Sequence, residues 1–264
     1  MNYNFKKEHI NELKLIKDNE DCIYVYNDIN FLAKLKDSSN NLIFIFHGAL
    51  PIKGPNRITF RGYDFILPDT DIISVSDSFI YFNNLANISW YLSTKKYNFN
   101  DRYIEVFKYL INRKRYKNII FTGTSGGGYP SIYFAAYFNK IALVSNSQLY
   151  LEKFGMYNEL IKLINNNKDK LLYEQKNIEN FLRKMQPLKI ILYNNILDYT
   201  YNNNIGLFVK YLEDNKLEKL LELNLFKGKL LNSSQNHHAI NFPNQKKHNE
   251  ILVELLNKLN NDLS

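Results

Sequence analysis

The chain has a single cysteine, Cys22, in 264 residues, so it forms no internal disulfide and no thiolate cluster around a metal. No run approaches the roughly 18 apolar residues that a membrane-spanning helix needs. The N-terminus, MNYNFKKEHINELKLIKD, lacks the apolar segment and small-residue cleavage site of a secretory leader. A soluble, cytoplasmic protein without a transmembrane segment is expected. No Gly/Ser-rich or Pro-rich linker and no repeat of fixed period interrupts the chain, which predicts a single domain over residues 1–264. Blocks of five or more like charges are also missing, so the net charge of +8 reads as a diffuse solvated face. A nucleic-acid partner is not expected; an acidic substrate such as an anionic glycan is the charged partner left open.

What is present is core-forming material: 45% apolar residues and 15% aromatic, with 20 Tyr and 18 Phe. That content excludes a disordered chain. Short β-branched and aromatic runs alternate with amphipathic stretches, the order of an α/β protein with a mostly parallel sheet and helices on both faces. Strands are expected at Cys22 to Tyr26, Leu42 to Phe46, Asp71 to Val75, Asn118 to Thr122, Lys140 to Val144, Leu188 to Tyr193 and Leu221 to Phe226. Arg102 to Arg113, with Ile104, Phe107, Lys108 and Ile111 at helical spacing, predicts one covering helix. Asn244 to Leu259 predicts another, through Ile251, Leu252, Leu255 and Leu256. Residues 150–185 read as two helices broken at Asn165 to Asn167 and inserted between two strands, a candidate lid.

The most specific signal is NIIFTGTSGGGYPSIYFAAYF, Asn118 to Phe138. A β-branched strand runs into Gly123-Thr124-Ser125-Gly126-Gly127, and a helix rich in small residues follows at once. That is the context of a G-x-S-x-G nucleophile elbow, in which the serine sits on a strained turn and the flanking glycines let strand and helix approach. The helix N-terminus behind Ser125 offers backbone N–H groups to a developing oxyanion. A Walker loop would need a lysine after the glycines, and none follows.

Other segments supply partners in the chain order of an α/β-hydrolase. LIFIFHGAL, Leu42 to Leu50, ends a strand in His47-Gly48, which makes the backbone of Ala49 a second oxyanion donor and His47 a structural residue fixing the loop. Asp198 follows the strand Leu188 to Tyr193, where a carboxylate orients and supports an imidazolium. The base comes after the last strand, and LLNSSQNHHAINFPNQ offers His237 and His238 there. Sequence does not choose between them. His248, within the final amphipathic helix, is expected to be exposed.

FHGAL, SVSDS, SWYLS, GTSGGGYPSIYFA and VSNSQLYLEKF, taken in order from about Asn41 onward, resemble bacterial α/β-hydrolase-fold proteins of surface-polysaccharide loci. That group includes sialic-acid capsule O-acetyltransferases and the accessory-secretion O-acetyltransferase of adhesin glycans. The resemblance implies a triad of Ser125, Asp198 and one of His237 or His238, with Ala49 and Gly126 as the oxyanion hole. It implies that Asp77, Trp90 and Tyr91 lie near the substrate pocket, although Ser78 stands where many relatives have proline and NHHAINFP replaces a Gly-His motif. The implied reaction is acyl transfer to a glycan or small ester substrate, with no bound cofactor or metal and acetyl-CoA as a possible acyl donor. An esterase or peptidase with the same triad is the alternative within enzymes, and a noncatalytic binding protein on the same fold the alternative outside them. Trp90, Tyr91, Tyr129, Tyr150 and Phe154 are expected to offer flat faces to a sugar ring.

Overall fold

A computed structural model describes residues 5–50, 58–82, 86–172, 177–198, 201–227 and 245–261. Its strands are β1 (Lys6–His9), β2 (Cys22–Tyr26), β3 (Ile29–Lys34), β4 (Asn41–Phe46), β5 (Thr70–Val75), β6 (Asn118–Thr124), β7 (Ile141–Ser145), β8 (Lys189–Asn195) and β9 (Leu221–Phe226). Its α-helices are α1 (Ser78–Phe82), α2 (Phe99–Asn112), α3 (Gly128–Phe138), α4 (Gly155–Asn166), α5 (Ile178–Lys184), α6 (Leu207–Asp214) and α7 (Gln245–Asn261). The strands form one sheet in the order β1-β2-β3-β5-β4-β6-β7-β8-β9. Only β3 runs against its neighbours. From β5 through β9 all pairings are parallel, which is why these strands are buried on both faces and read as apolar runs.

All seven expected strands are found. Two were missed for identifiable reasons. β1 is a short polar edge strand, KKEH, with no apolar alternation to reveal it. β3 pairs with β2 through a two-residue turn in which Asn27 and Asp28 both have positive φ, 45° and 67°. Asn and Asp tolerate that conformation, so the pair carries a hairpin signal.

The face of α2 also differs from expectation. Phe99, Tyr103, Val106, Phe107 and Leu110 are buried, one residue out of step with the Ile104, Lys108, Ile111 face. The buried stripe is the one that contains no lysine. It packs with strand aromatics into a tight cluster: Phe44 lies 4.7 Å from both Phe107 and Phe121, and Phe107 lies 4.9 Å from Phe134. Such pairs add about 0.5–1.5 kcal/mol each beyond buried area and fix α2 and α3 on one face of the sheet. The other face is covered by α7, whose Ile251, Leu252 and Leu256 pack with Ile43, Ile45, Ile120 and Leu143.

Register positions the site. Phe46 on β4 pairs with Gly123 on β6, and Thr124 on β6 pairs with Ser145 on β7. The loops after β4, β6 and β7 therefore leave the sheet side by side at its C-terminal edge, where ligands of open α/β sheets bind.

Candidate active site

β6 leads directly into Ser125, whose φ of +53° is in the left-handed region. For a non-glycine residue that costs of order 1–3 kcal/mol, held in place by its surroundings. Ser125 is half-buried, opens a tight turn over Ser125–Gly127, and α3 follows without a break. The glycines are there for close approach. A Cβ on Gly127 would sit 2.5 Å from the backbone oxygen of Phe46, and one on Gly126 would collide with Ile88 Cδ1. Gly48 borders the same turn, since its Cβ position is 3.4 Å from Ser125 Cβ. The loop after β4 thus lies against Ser125, with Ala49 exposed next to it.

That loop is held by His47. Its Nε2 accepts the backbone N–H of Asp77 at 3.1 Å, so its Nδ1 carries the proton and donates to the Gly48 carbonyl at 2.6 Å. The backbone N–H of His47 donates to Tyr91 Oη at 3.0 Å, and that hydroxyl donates to the Val75 carbonyl at 2.8 Å. Burial, followed by the Asp77 carboxylate, pushes the Tyr91 hydroxyl well above the ordinary tyrosine range, so it stays protonated and able to donate.

Asp77 is fully buried and ties the next segment. Its carboxylate accepts the Ser89 backbone N–H at 2.9 Å, the Ser89 hydroxyl at 2.5 Å and the Tyr91 backbone N–H at 3.4 Å. The turn so formed holds Trp90 and Tyr91 at φ of +52° and +60°, an uncommon consecutive pair of left-handed aromatic residues. Trp90 Nε1 then donates to Gln148 Oε1 at 2.8 Å, and the Gln148 backbone N–H donates to the Ser125 carbonyl at 3.0 Å.

Asp198 is buried three residues beyond the end of β8, in a turn where its own N–H donates to the Asn195 carbonyl at 3.0 Å. Asn195 is linked to the β7 loop because its N–H donates to Asn146 Oδ1 at 3.0 Å. Asn204, in the π-helical turn Asn202–Gly206, accepts the backbone N–H groups of Leu149 and Tyr150 at 2.8 and 3.2 Å and donates to the Ser147 carbonyl. His237 and His238 lie outside the described residues.

The Ser125–Gly126 turn is thus bordered by the Gly48–Ala49 loop and, through Gln148, tied to Trp90; Asp77 and Tyr91 stand behind that loop, bonded to His47, and Asp198 follows β8, two strands from β6. The structure also corrects two expectations. Trp90, Tyr91, Tyr129 and Phe154 are all buried rather than open platforms for a sugar ring, and the Tyr150 hydroxyl is engaged by Glu179 at 2.5 Å. His248 is fully buried, not exposed: a helix position facing the sheet reads as amphipathic whether imidazole or an aliphatic side chain fills it. Of the other residues in these contacts, Gln148 lies in the motif VSNSQLYLEKF, while Ile88 and Asn204 lie in none of the motifs quoted above. A separate groove of about 540 Å³ opens between α2, α3 and α5, lined by Ile104, Tyr133, Tyr137, Phe181 and Met185, on the helical flank rather than at Ser125. Among the described residues no helix is long and apolar enough to cross a membrane, and no group of three His, Cys, Asp or Glu is placed to hold a metal.

The architecture and the strained serine turn define an α/β-hydrolase fold. The solved structures it is similar to share that fold at low identity. The capsule O-acetyltransferase of Neisseria meningitidis serogroup A matches with a TM-score of 0.63 at 12% identity, over 91% of this chain and 97% of that one. A mutant of the same enzyme is known in complex with CoA. FphF, a fluorophosphonate-binding serine hydrolase of Staphylococcus aureus, matches with a TM-score of 0.56 at 14% identity, over 90% of this chain and 96% of that one. Esterase B of Lactobacillus rhamnosis matches with a TM-score of 0.54 at 10% identity, over 89% of this chain and 82% of that one. No family model and no curated protein sequence matches the chain.

Proposed function

We propose that the protein is a serine acyl-transfer enzyme, acting as an O-acetyltransferase on a bacterial capsular or other surface glycan. The observation that carries the reading is Ser125 at a φ of +53° on the β6–α3 turn, half-exposed, with the loop of Gly48 and Ala49 packed against it. His237 or His238 takes the Ser125 Oγ proton as that oxygen bonds to the acyl carbon of the donor, and Asp198 orients and supports the imidazolium. The N–H groups of Gly126 and Ala49 hold the tetrahedral oxyanion, a contribution typically worth about 100- to 1,000-fold in rate per donor. Collapse expels the donor's thiol or alcohol, which takes the proton back from the base. A sugar hydroxyl then gives its proton to the base, attacks the acyl-enzyme and returns Ser125 to its free form.

The transferase reading draws on the similarity to the capsule enzyme and on acetyl-CoA as a chemically suitable donor, used and released rather than retained. Asp77, Trp90 and Tyr91 act in it by positioning: all three are buried, and they fix the turns that face Ser125. Residues 150–185 serve as a cap, anchored to the 93–97 segment through Leu172 N–H to the Ser93 carbonyl and Lys95 N–H to the Lys170 carbonyl. An esterase is the second reading, favoured by the similarity to esterase B and FphF.

The deciding experiment supplies acetyl-CoA with and without capsular or sialylated oligosaccharide and follows acetate and acetylated sugar by mass spectrometry. Acetylated sugar that rises while acetate falls supports the transferase. Acetate release indifferent to every glycan, with acetylated capsule stripped instead, makes the protein an esterase.

A further inference from the structure

Gln148 sits where the wall beside the oxyanion turn meets the β7 loop. It is 3% exposed, its backbone N–H donates to the Ser125 carbonyl, and its Oε1 lies 3.4 Å from the Cβ position of Gly126. The orientation of its amide is determined by chemistry. The indole N–H of Trp90 is a donor only, so the atom 2.8 Å from it must be the amide oxygen. The NH2 group then points the other way. Among the described residues none takes a hydrogen bond from that nitrogen, and it is not among the fully enclosed polar atoms without a partner. A side chain almost entirely buried, held at both its backbone and its oxygen, thus keeps two donor hydrogens that no described residue takes.

Trp90 does not hold that oxygen by accident of rotamer. Its own backbone is fixed in the left-handed region by the Asp77 carboxylate, through Ser89 and Tyr91. A fully buried acid, a strained turn and an indole are arranged in series, and the series ends at an amide next to the oxyanion N–H of Gly126. Ile88 packs directly on Gly126, so an apolar side chain and the Gln148 amide both border that residue.

We infer that Gln148 is a specificity-determining residue whose NH2 donates to an acceptor oxygen beside the reacting ester, so that the site selects esters of vicinal polyols over esters of plain alcohols. The inference rests on the reading of Ser125 as the nucleophile and deepens it. The contact serves both directions of the reaction, because the hydroxyl neighbouring the one acylated occupies the same place before and after transfer. A site that hydrogen-bonds a substrate hydroxyl rejects the analogue lacking it, since the buried donor would otherwise go unpaired.

The test compares kcat/KM for glycerol monoacetate and propyl acetate, two acetates of three-carbon alcohols that differ by two hydroxyls. Wild type is expected to prefer the polyol ester. In Gln148→Met, which keeps length and apolar bulk, that preference falls by about five- to tenfold, the size expected for loss of one net hydrogen bond. Trp90→Phe, which removes the N–H that orients the amide, lowers the same ratio by a smaller factor and keeps the test alive if the methionine variant folds poorly. A ratio unchanged in folded variants, or a wild type without the preference, overturns the assignment, because a merely structural role lowers both rates alike. Labelling of wild-type Ser125 by a fluorophosphonate is measured alongside. Its absence overturns the nucleophile reading itself, whereas labelling with an unchanged ratio overturns only the role of Gln148.

Discussion

Thr122, on the strand that leads into Ser125, and His248 are joined by a 2.8 Å hydrogen bond inside the core. The Thr122 hydroxyl donates to the Leu143 carbonyl at 2.7 Å, so it accepts from the His248 Nε2–H, and Phe65 packs edge-on against the imidazole at 5.2 Å. Burial, then the charge of Arg61, pulls the His248 pKa down from 6.5 to about 3. The unfolded chain therefore binds a proton that the folded chain refuses between those values. Stability from this group is complete above pH 6.5 and is lost as pH falls towards about 3. Urea melts at stepped pH values should show wild type losing up to about 1.4 kcal/mol per pH unit more than His248→Gln in that window. Parallel curves for the two proteins would contradict the assignment.

Ser125→Ala is expected to lose fluorophosphonate labelling and turnover while keeping its melting temperature, because a half-exposed serine makes little packing. Ser125→Gly should lose the same activity yet melt higher, by up to about 1 kcal/mol of stability, as glycine accepts a φ of +53° without a Cβ penalty. Calorimetry of the two variants separates backbone strain at Ser125 from any chemistry there.

Gly126→Ala and Gly127→Ala should differ in whether they can be rescued. The first meets Ile88 Cδ1, so Gly126→Ala combined with Ile88→Val, which removes that one atom, should recover part of the about 1–3 kcal/mol lost by the single change. The second meets the backbone oxygen of Phe46 at 2.5 Å, which no side-chain truncation relieves. Denaturation midpoints of the two single variants and each combined with Ile88→Val, referred to Ile88→Val alone, read this out.

Asn204→Leu should destabilise by about 2–3 kcal/mol, because it leaves the buried N–H groups of Leu149 and Tyr150 without their acceptor. Its effect on turnover should exceed that of an equally destabilising core change such as Leu212→Ala. Asn204 fixes the loop carrying Gln148, and Leu212 does not. Equal residual activities at a temperature where both are folded would count against that coupling.

Of His237→Ala and His238→Ala, one is expected to be nearly inactive and the other close to wild type. In the active protein the acid limb of kcat/KM should fall near the roughly 6.5 pKa of imidazole and vanish with the essential residue. Two active variants would break the triad as drawn.

The parts of the fold legible in the sequence were those written as periodicity or as an unusual local combination. β4, β6 and β7 announce themselves because strands buried on both faces are apolar throughout, and the Ser125 turn because few other structures need glycine on both sides of a serine. What stayed hidden is three-dimensional. His47, Asp77 and Tyr91 form one network although 30 and 14 residues separate their hydrogen-bonded pairs. Nothing in SVSDS or SWYLS states that the aspartate of one holds the serine of the other. The one-residue error in the face of α2 has the same origin, since several registers of that helix are amphipathic and only packing against Phe44 and Phe121 chooses among them.

The chain's single tryptophan is the one bonded to Gln148. An indole emits according to the polarity and relaxation of its surroundings, and this one is 1% exposed, with its ring N–H on a group beside the Ser125–Gly126 turn. The protein thus carries an intrinsic optical probe of its own site. A ligand that engages the Gln148 NH2 will alter the field at Trp90 and shift or quench its emission, with no other tryptophan contributing background. Binding of candidate acceptors can then be followed by fluorescence titration on the unlabelled protein, in the absence of any turnover.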